Sequence, residues 1–252
     1  MTFDLNACIR RLESAQARQN DAFTLAAGGR SRPVGGGYAH FRGIGHPLNQ
    51  ALGLVDSITE ADLAAIEAFL GTPTVLELSP AADPSLWLLL ARRGYRLGQF
   101  QQLLVREVPE GAFPDSDWDV SPVGSSECDL QGRVVGAGFA ERDDWRTFQP
   151  PFSLPADVPR CLRYLVRVAG EPAGGATLGW VDDVALLSGD AVLPGFRGRG
   201  LQKRLIQARL REAARLGCRV ACASTLPSTP SQRSYEACGF RVAYPKVEMV
   251  KD

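Results

Sequence analysis

The segment Val184–Leu205, VALLSGDAVLPGFRGRGLQKRL, has the residue types and spacing to hold an anion. An apolar run that reads as a buried strand meets Pro194, the chain turns through Gly195, Phe196, Arg197, Gly198, Arg199 and Gly200, and a helical pattern begins at once. A helix starting directly after a strand presents unpaired backbone N–H groups and the positive end of its dipole, worth about 0.3–1 kcal/mol to a nearby negative charge. Gly198 and Gly200 let the backbone come close to such a ligand. From Phe196 to Arg219 eight basic side chains stand against one acid, Glu212, a net of +7 in a chain whose formal charge is zero. Arg197, Arg199 and Lys203 sit at the helix start, where a phosphate would meet them; Arg204, Arg209, Arg211 and Arg215 read as a solvated helix face.

The kind of phosphate ligand is narrowed by what is missing. The ATP-binding pattern G-x-x-x-x-G-K-[ST] is absent, and the dinucleotide pattern G-x-G-x-x-G fails because Lys203 takes the third place. Six cysteines (Cys8, Cys128, Cys161, Cys218, Cys222, Cys238) form no C-x-x-C pair, and His40 and His46 lie far from all but Cys8, so neither a metal site nor a disulfide framework is expected.

The elements that must position the loop follow from periodicity. In the carboxy half, a short strand near Asp119–Val123 precedes a helix over Glu127–Phe139 capped by Ser126, then a loop with Trp145 and Phe148 that ends at Pro150 and Pro151. Strands are predicted over Cys161–Val168, Ala176–Val181 and Val184–Val192, with a turn at Glu171–Pro172. A helix follows over Gly200–Leu216, stopped by Gly217, and then strand Val220–Ala223, helix Ser231–Ala237 and strand Phe240–Val250. In the amino half, Leu5, Ile9, Leu12 and Phe23 mark one face of a long helix, and Gly28–Gly37 reads as a flexible loop without the setting of a phosphate cradle. Asp56–Leu70 holds a helix with Thr59 as N-cap and Asp62 three residues on.

The two halves share a pattern. Shifted by 145 residues without a gap, Val75–Arg106 lies on Val220–Lys251, pairing VLELS with VACAS, ARRGYR with EACGFR and LLVRE with EMVKD. Each copy reads as a strand, a polar break containing proline, a short helix, a glycine, an aromatic and a closing strand. Val108–Val123, dense in Pro, Gly, Asp and Ser, is the expected linker, giving domains at 1–112 and 117–252.

Composition agrees with a two-domain globular chain: 252 residues, 45% hydrophobic and 22% charged. The longest apolar run, Leu86–Ala91, is far short of the ~20 residues of a membrane helix. Asp4, Glu13 and polar breaks within Met1–Asn20 leave no apolar core for a secretory signal, so a cytoplasmic protein is expected. A balance of 28 basic and 28 acidic residues argues against nucleic acid as a partner, and the scarcity of lysine (Lys203, Lys246, Lys251) reads as background.

The loop and the closing motif together resemble the GNAT N-acyltransferase superfamily. V-L-P-G-F-R-G-R-G is similar to that family's V-x-P-x-x-R-x-x-G at Val192, Pro194, Arg197 and Gly200, and S-Y-E-A-C-G-F is similar to its Y-E-x-x-G-F at Tyr235, Glu236, Gly239 and Phe240. The chain departs from the family at Gln202, where a small residue is usual, and at Ser228, where asparagine is common. The resemblance implies two tandem GNAT-like domains, each a mixed, mostly antiparallel α/β sheet flanked by helices. It also implies an acyl-CoA-dependent N-acetyltransferase with acetyl-CoA or another acyl-CoA as co-substrate, no metal, and a small-molecule or peptide amine as acceptor. Pyrophosphate would rest on the N–H groups of Arg197, Gly198, Arg199, Gly200, Leu201 and Gln202, with Ser228 also at the coenzyme. Pantetheine would pair with the strand end at Ala191, Val192 and Leu193, with an N–H near Val192 facing the oxyanion. Ser231 would bond the pantetheine amides or cap its helix. Tyr235 would hydrogen-bond the departing thiolate, and Asp190 is the expected base, with Asp182 or Asp183 at the far end of the same strand. Cys238 has no histidine partner to make it a nucleophile. Glu141, Asp143 and Asp144, in an acceptor loop over Ala140–Pro159 with Trp145, Phe148 and Phe152, would attract an amine or form a solvated turn. The amino half has Leu90 in the place of Tyr235 and no R-x-x-G loop before the Thr59 helix, so no coenzyme binding is expected there. A coenzyme sensor without turnover, or a structural pair without coenzyme, are the competing readings.

Overall fold

The computed structural model describes residues 5–108, 119–150 and 155–252; most of the expected linker, its limits at 112 and 117, Trp118 and Phe152 lie outside the described residues. The chain is a mixed α/β protein of mostly antiparallel strands flanked by helices, and it divides into two units, Met1–Leu103 with Val242–Asp252, and Leu104–Arg241. The closing strand therefore departs from its expected place in a domain over 117–252, since from Val242 onward it belongs to the first unit.

The first unit contains α1 (Leu5–Ala26), β1 (Arg30–Val34), β2 (Gly37–Phe41), β3 (Gln50–Leu52), α2 (Glu60–Leu70), β4 (Thr74–Leu78), α3 (Pro84–Arg92), most of β5 (Arg96–Glu107) and most of β11 (Arg241–Lys251). Its strands run in the order β1-β2-β3-β4-β11-β5. Strand alternation puts Ala39, Ala51, Leu76, Leu78, Val247 and Met249 against Leu63, Ile66, Leu86 and Leu90 of α2 and α3. Residues between them in sequence point the other way. There Lys246, with a fully buried side chain, places Nζ 3.0 Å from Glu13 Oε1 and pairs with Glu77. Tyr244 donates to Glu13 Oε1 at 2.8 Å. Burial alone would push the Lys246 ammonium down; Glu13 and then Glu77 more than reverse this and hold it charged. This buried charge cluster, joined to the antiparallel β4–β11 ladder (Val247 opposite Leu78), is what seats the last strand here.

Gly28–Gly37, expected as a flexible loop, instead contains β1, paired antiparallel with β2 from Arg30 opposite Phe41 to Val34 opposite Gly37. Its sequence, RSRPV, lacks the apolar alternation that marks a strand, because β1 is an edge strand, the setting that tolerates Pro33. Gly35 and Gly36, both at positive φ (56° and 84°), make the hairpin turn.

The second unit contains β6 (Val120–Pro122), α4 (Cys128–Phe139), β7 (Cys161–Val168), β8 (Glu171–Val181), β9 (Val184–Val192), α5 (Leu201–Arg215), β10 (Val220–Thr225) and α6 (Pro230–Ala237). Strand order is β10-β9-β8-β7-β6. The β7–β8 turn lies at Ala169–Gly170, both at positive φ (51° and 81°), so β8 begins at Glu171, before the expected Ala176. The two faces of β7 separate the cores: Tyr164 and Val166 pack with α5 and α6, and Leu165 packs with Val134 and Ala137 of α4.

The 145-residue shift carries β4 onto β10, α3 onto α6 and β5 onto β11 to within two residues at each end. Both short helices begin with proline after a capping side chain, Asp83 on Ser85 N–H and Thr229 on Gln232 N–H. Both end in a left-handed glycine, Gly94 or Gly239. The next N–H then bonds back to the matching carbonyl, Tyr95 to Leu90 at 3.0 Å and Phe240 to Tyr235 at 3.1 Å.

Two expectations follow. Lys246→Met leaves Glu13 and Glu77 as buried, uncompensated carboxylates and should destabilise the first unit by about 3–5 kcal/mol in urea unfolding. His40, buried on β2 beside the Ser31 hydroxyl at 3.1 Å, is pushed down to about 4 by burial and then by Arg42, against 6.5 when unperturbed. The unfolded chain therefore takes up this proton first, so stability should be level in this term above pH 6.5 and fall from 6.5 to about 4. His40→Gln should flatten that part of the stability curve.

Candidate active site

The site begins with a bulge. Thr177 stands opposite Ser188 and Gly175 opposite Ala191, so Gly189 and Asp190 of β9 share a single partner residue on β8. Gly189 takes φ 65°, which suits glycine. The extra residue reverses the alternation. Ala185 and Leu187 face the α5 core, and beyond the bulge Asp190 and Val192 face it too, while Ala191 packs so tightly on α4 that Gly138 has no room for a side chain. On its other edge β9 pairs in parallel with β10 only from Val184 opposite Val220 to Leu186 opposite Cys222, so Leu187–Val192 run on without β10.

Into this opening project Asp190, Arg209 and Tyr235. Arg209 on α5 has no exposed side-chain surface, and Asp190 has 7%. The guanidinium donates to Asp190 Oδ2 at 3.1 Å and, from its other nitrogen, to Oδ1, and also to the carbonyls of Thr177 (3.0 Å), Leu205 (3.0 Å) and Ser188 (3.4 Å). The Tyr235 hydroxyl donates to Asp190 Oδ2 at 2.7 Å, and its ring stands edge-on to Phe240. Burial, then the Asp190 charge, push the Tyr235 phenol well above its usual range, and Arg209 opposes this. Burial would lower the Arg209 guanidinium, but Asp190 and Tyr235 more than offset it and hold it up.

One expectation changes here. Arg209 is no part of a solvated face. Its signal was in the sequence, because Leu201, Leu205, Arg209 and Ala213 repeat every four residues, which puts the arginine on the apolar stripe of α5. Asp190, the expected base, is hydrogen-bonded by Tyr235, and both its oxygens hold donors. Asp182 and Asp183 lie at the β8–β9 turn, a strand length from Asp190.

The loop after β9 leaves its backbone exposed. Pro194–Phe196 form one short turn, closed by Phe196 N–H on Leu193 O at 2.9 Å. Gly198 and Gly200 then take positive φ (75° and 73°), and a Cβ at either would meet nothing within 4 Å. The N–H groups of Gly198, Arg199, Gly200, Leu201, Gln202 and Lys203 have no hydrogen-bond partner among the described residues. No side chain caps α5. The matching helix of the first unit, α2, is closed by its own carboxylate: Asp62 N–H donates to Thr59 Oγ1 at 3.1 Å, and Thr59 N–H to Asp62 Oδ2 at 3.0 Å.

The loop side chains do other work than expected. Arg197 ties the strand end to α4, donating to Val192 O and Gly138 O at 3.0 Å each and pairing with Glu141. That bond holds the Glu141 carboxyl below its ordinary range. Arg199 lies over the Phe196 ring at 5.3 Å. Gln202 donates to Ser231 Oγ at 2.9 Å, while Thr229 caps α6. Ser228, at φ 62°, donates its N–H to Gln232 Oε1 at 2.7 Å. Leu193 N–H is taken by Ala173 O at 2.9 Å, and Leu201 is core. Asp143 Oδ1 accepts from Gly195 N–H at 2.9 Å, and Asp144 pairs with Arg142. Thr225 Oγ1, at the end of β10, is buried without a partner among the described residues. All six cysteines are free, and no group of three or more metal-ligating side chains occurs among the described residues.

Residues 124–240 match the profile of the Acetyltransferase (GNAT) family. The chain is 45% identical over 58 residues to an aminoglycoside N(6')-acetyltransferase type 1 of Salmonella typhimurium, a match spanning 23% of this chain and 40% of that relative. Among solved structures, a GCN5-related N-acetyltransferase from Kribbella flavida aligns over 93% of this chain and 95% of its own, at TM-score 0.63 and 18% identity. A tandem GNAT protein from the clavulanic acid biosynthesis pathway aligns over 87% of this chain and 80% of its own, at TM-score 0.55 and 15% identity. These two likenesses are of fold.

The GNAT loop depends on its left-handed glycines. Gly200→Ala puts a Cβ into a backbone conformation that costs about 1–2 kcal/mol for an L-residue, and should lower stability by that amount although nothing is crowded. Denaturant unfolding measures it.

Proposed function

We propose that the protein transfers an acetyl or other acyl group from acyl-CoA to an amine by direct attack within a ternary complex. The observation that carries this reading is the row of unpartnered N–H groups from Gly198 to Lys203, set between left-handed glycines at an uncapped helix start in a GNAT segment. The residues fit a coenzyme: the donors suit pyrophosphate oxygens, the β9 edge beyond Leu186 suits an extended amide-bearing arm, and the orphan hydroxyl of Thr225 suits a polar group. The thioester, when bound, supplies the activated acyl carbon.

The chain's part is to position and to handle protons. Gly198, Arg199, Gly200, Leu201 and Gln202 hold the anion through their backbone, and Gln202 with Ser231 and Ser228 shape the neighbouring wall. The strand end at Ala191, Val192 and Leu193 aligns the reacting end, with Arg197 bracing it from behind. The amine nitrogen adds to the acyl carbon, the carbon–sulfur bond breaks with its electron pair on sulfur, and the amine's surplus proton leaves through water. Tyr235 donates a hydrogen bond to the departing sulfur, a role suited to a phenol that stays protonated. The similarity to an aminoglycoside acetyltransferase supports a small-molecule amine over a peptide as acceptor.

The first unit reads as a degenerate copy without coenzyme, because the Thr59–Asp62 capping box closes its helix start and Leu90 replaces Tyr235. Unpaired cysteines fit the reducing cytoplasm, and no helix among the described residues is long and apolar enough to cross a membrane.

Acetyl-CoA should raise the melting temperature, and thiol release should appear with a member of an amine panel. Gly200→Trp, which fills the open space at the loop, should abolish the shift. Tyr235→Phe should keep the shift and lose about 100-fold or more in kcat. A shift without thiol release for any amine would instead mark a coenzyme sensor, a reading favoured by the Tyr235 hydroxyl resting on Asp190.

A further inference from the structure

Arg209, Asp190 and Tyr235 form a buried chain whose middle member has no free role left. The carboxylate of Asp190 is held from one side by the Arg209 guanidinium and on Oδ2 by the Tyr235 hydroxyl at 2.7 Å. Arg209 is itself fixed by three backbone carbonyls, Thr177, Ser188 and Leu205, from β8, β9 and α5. The guanidinium therefore cannot swing, the carboxylate cannot turn, and the phenol has one acceptor at a set position.

We propose that Arg209 and Asp190 are positioning residues, a fixed pair that aims the Tyr235 hydroxyl, and that Asp190 does not take the amine's proton. This rests on the acyl-transfer reading above. The pair gives the hydroxyl a defined resting acceptor, from which its proton can turn to a sulfur arriving along the open edge of β9. The phenol remains the donor throughout; no bond forms or breaks at Asp190 or Arg209. Two other titratable groups interact with this cluster, the Cys238 thiol and the Tyr164 phenol; burial pushes both up and they stay neutral.

Arg209→Met alone strands a buried carboxylate and Asp190→Asn alone a buried guanidinium, so Asp190→Asn is read beside the double Asp190→Asn/Arg209→Met, which removes both charges, each made in the full chain. The first readout needs no turnover. With 3-fluorotyrosine at position 235, the fluorine resonance should titrate at lower pH in Asp190→Asn than in the parent; an unchanged midpoint overturns the proposal. In kinetics with acetyl-CoA and an amine the parent accepts, the double variant should lose about 10- to 100-fold in kcat, with the KM for acetyl-CoA unchanged within about twofold. It should lose this although its melting temperature matches the parent's, since a buried ion pair can give way to neutral groups without loss of stability. A double variant with parental kcat shows the pair to be merely structural and overturns the proposal. So does an Asp190→Asn profile that loses its acidic limb, because that limb would then belong to Asp190 acting as base. If the parent releases no thiol with any amine, the acyl-transfer reading falls, and the fluorine titration alone decides whether the pair grips the phenol.

Discussion

A guanidinium with no exposed surface sets the terms for the second unit. Taking such a charge out of water costs several kcal/mol unless a partner and hydrogen bonds meet it. Arg209 can be met only by a carboxylate on the same face of the sheet, and β9 has its regular alternation against it: with Ala185 and Leu187 facing α5, residue 190 would face α4. The bulge at Gly189 is what turns Asp190 around, and the carbonyls of Thr177 and Ser188 near the bulge accept from Arg209 as well. One irregularity in one strand thus satisfies the arginine, presents the acceptor for Tyr235 and accompanies the parting of β9 from β10. Removing any one of these would leave the others without a physical reason.

The first unit solves a related problem with one cation between two carboxylates. Lys246 comes from the last strand, yet its partners Glu13 and Glu77 come from α1 and β4, more than 160 residues earlier in the chain. A strand paired so far from its neighbours in sequence gains nothing from local propensity, so specific partners must decide its place. An apolar residue at 246 would pack in many registers. A lysine between two buried carboxylates accepts one register only, the one that puts Val247 opposite Leu78.

Much of this was legible in sequence, and the failures share a cause. Thr59 with Asp62, the glycine turn after β9, the last helix with its Gly239–Phe240 exit, and the 145-residue shift all rest on local chemistry, where residue types at fixed spacing dictate backbone shape. What was misread depended on partners distant in sequence. Arg209 looked like a surface charge because Asp190, nineteen residues away, was not known to face it. The segment RSRPV looked like a loop because an edge strand needs no apolar face. The closing strand reads as part of the nearer domain because nothing in its own residues names β4 as a neighbour. The bulge left a trace in Ser188-Gly189-Asp190, but a glycine in a strand marks an irregularity without saying which way the next side chain turns.

The positive segment changes meaning once its partners are known. By count the segment from Phe196 to Arg219 carries a net of +7, with Arg197, Arg199 and Lys203 at the helix start where a phosphate would meet them. Arg209 is cancelled by Asp190, Arg197 is committed to Glu141 and two carbonyls, and Arg199 lies over Phe196. At the helix start itself only Arg197 is paired with a carboxylate among the described residues; Arg199 and Lys203 keep their charge. What distinguishes the start of α5 from that of α2 is the backbone: one is closed by a threonine and an aspartate, and the other leaves six consecutive N–H groups without partners among the described residues. Attraction of that kind is short-ranged and directional, and salt screens it far less than it screens exposed charges a Debye length apart. Gly198 and Gly200 impose the shape of this loop, and Arg197 ties it to the strand end and to α4.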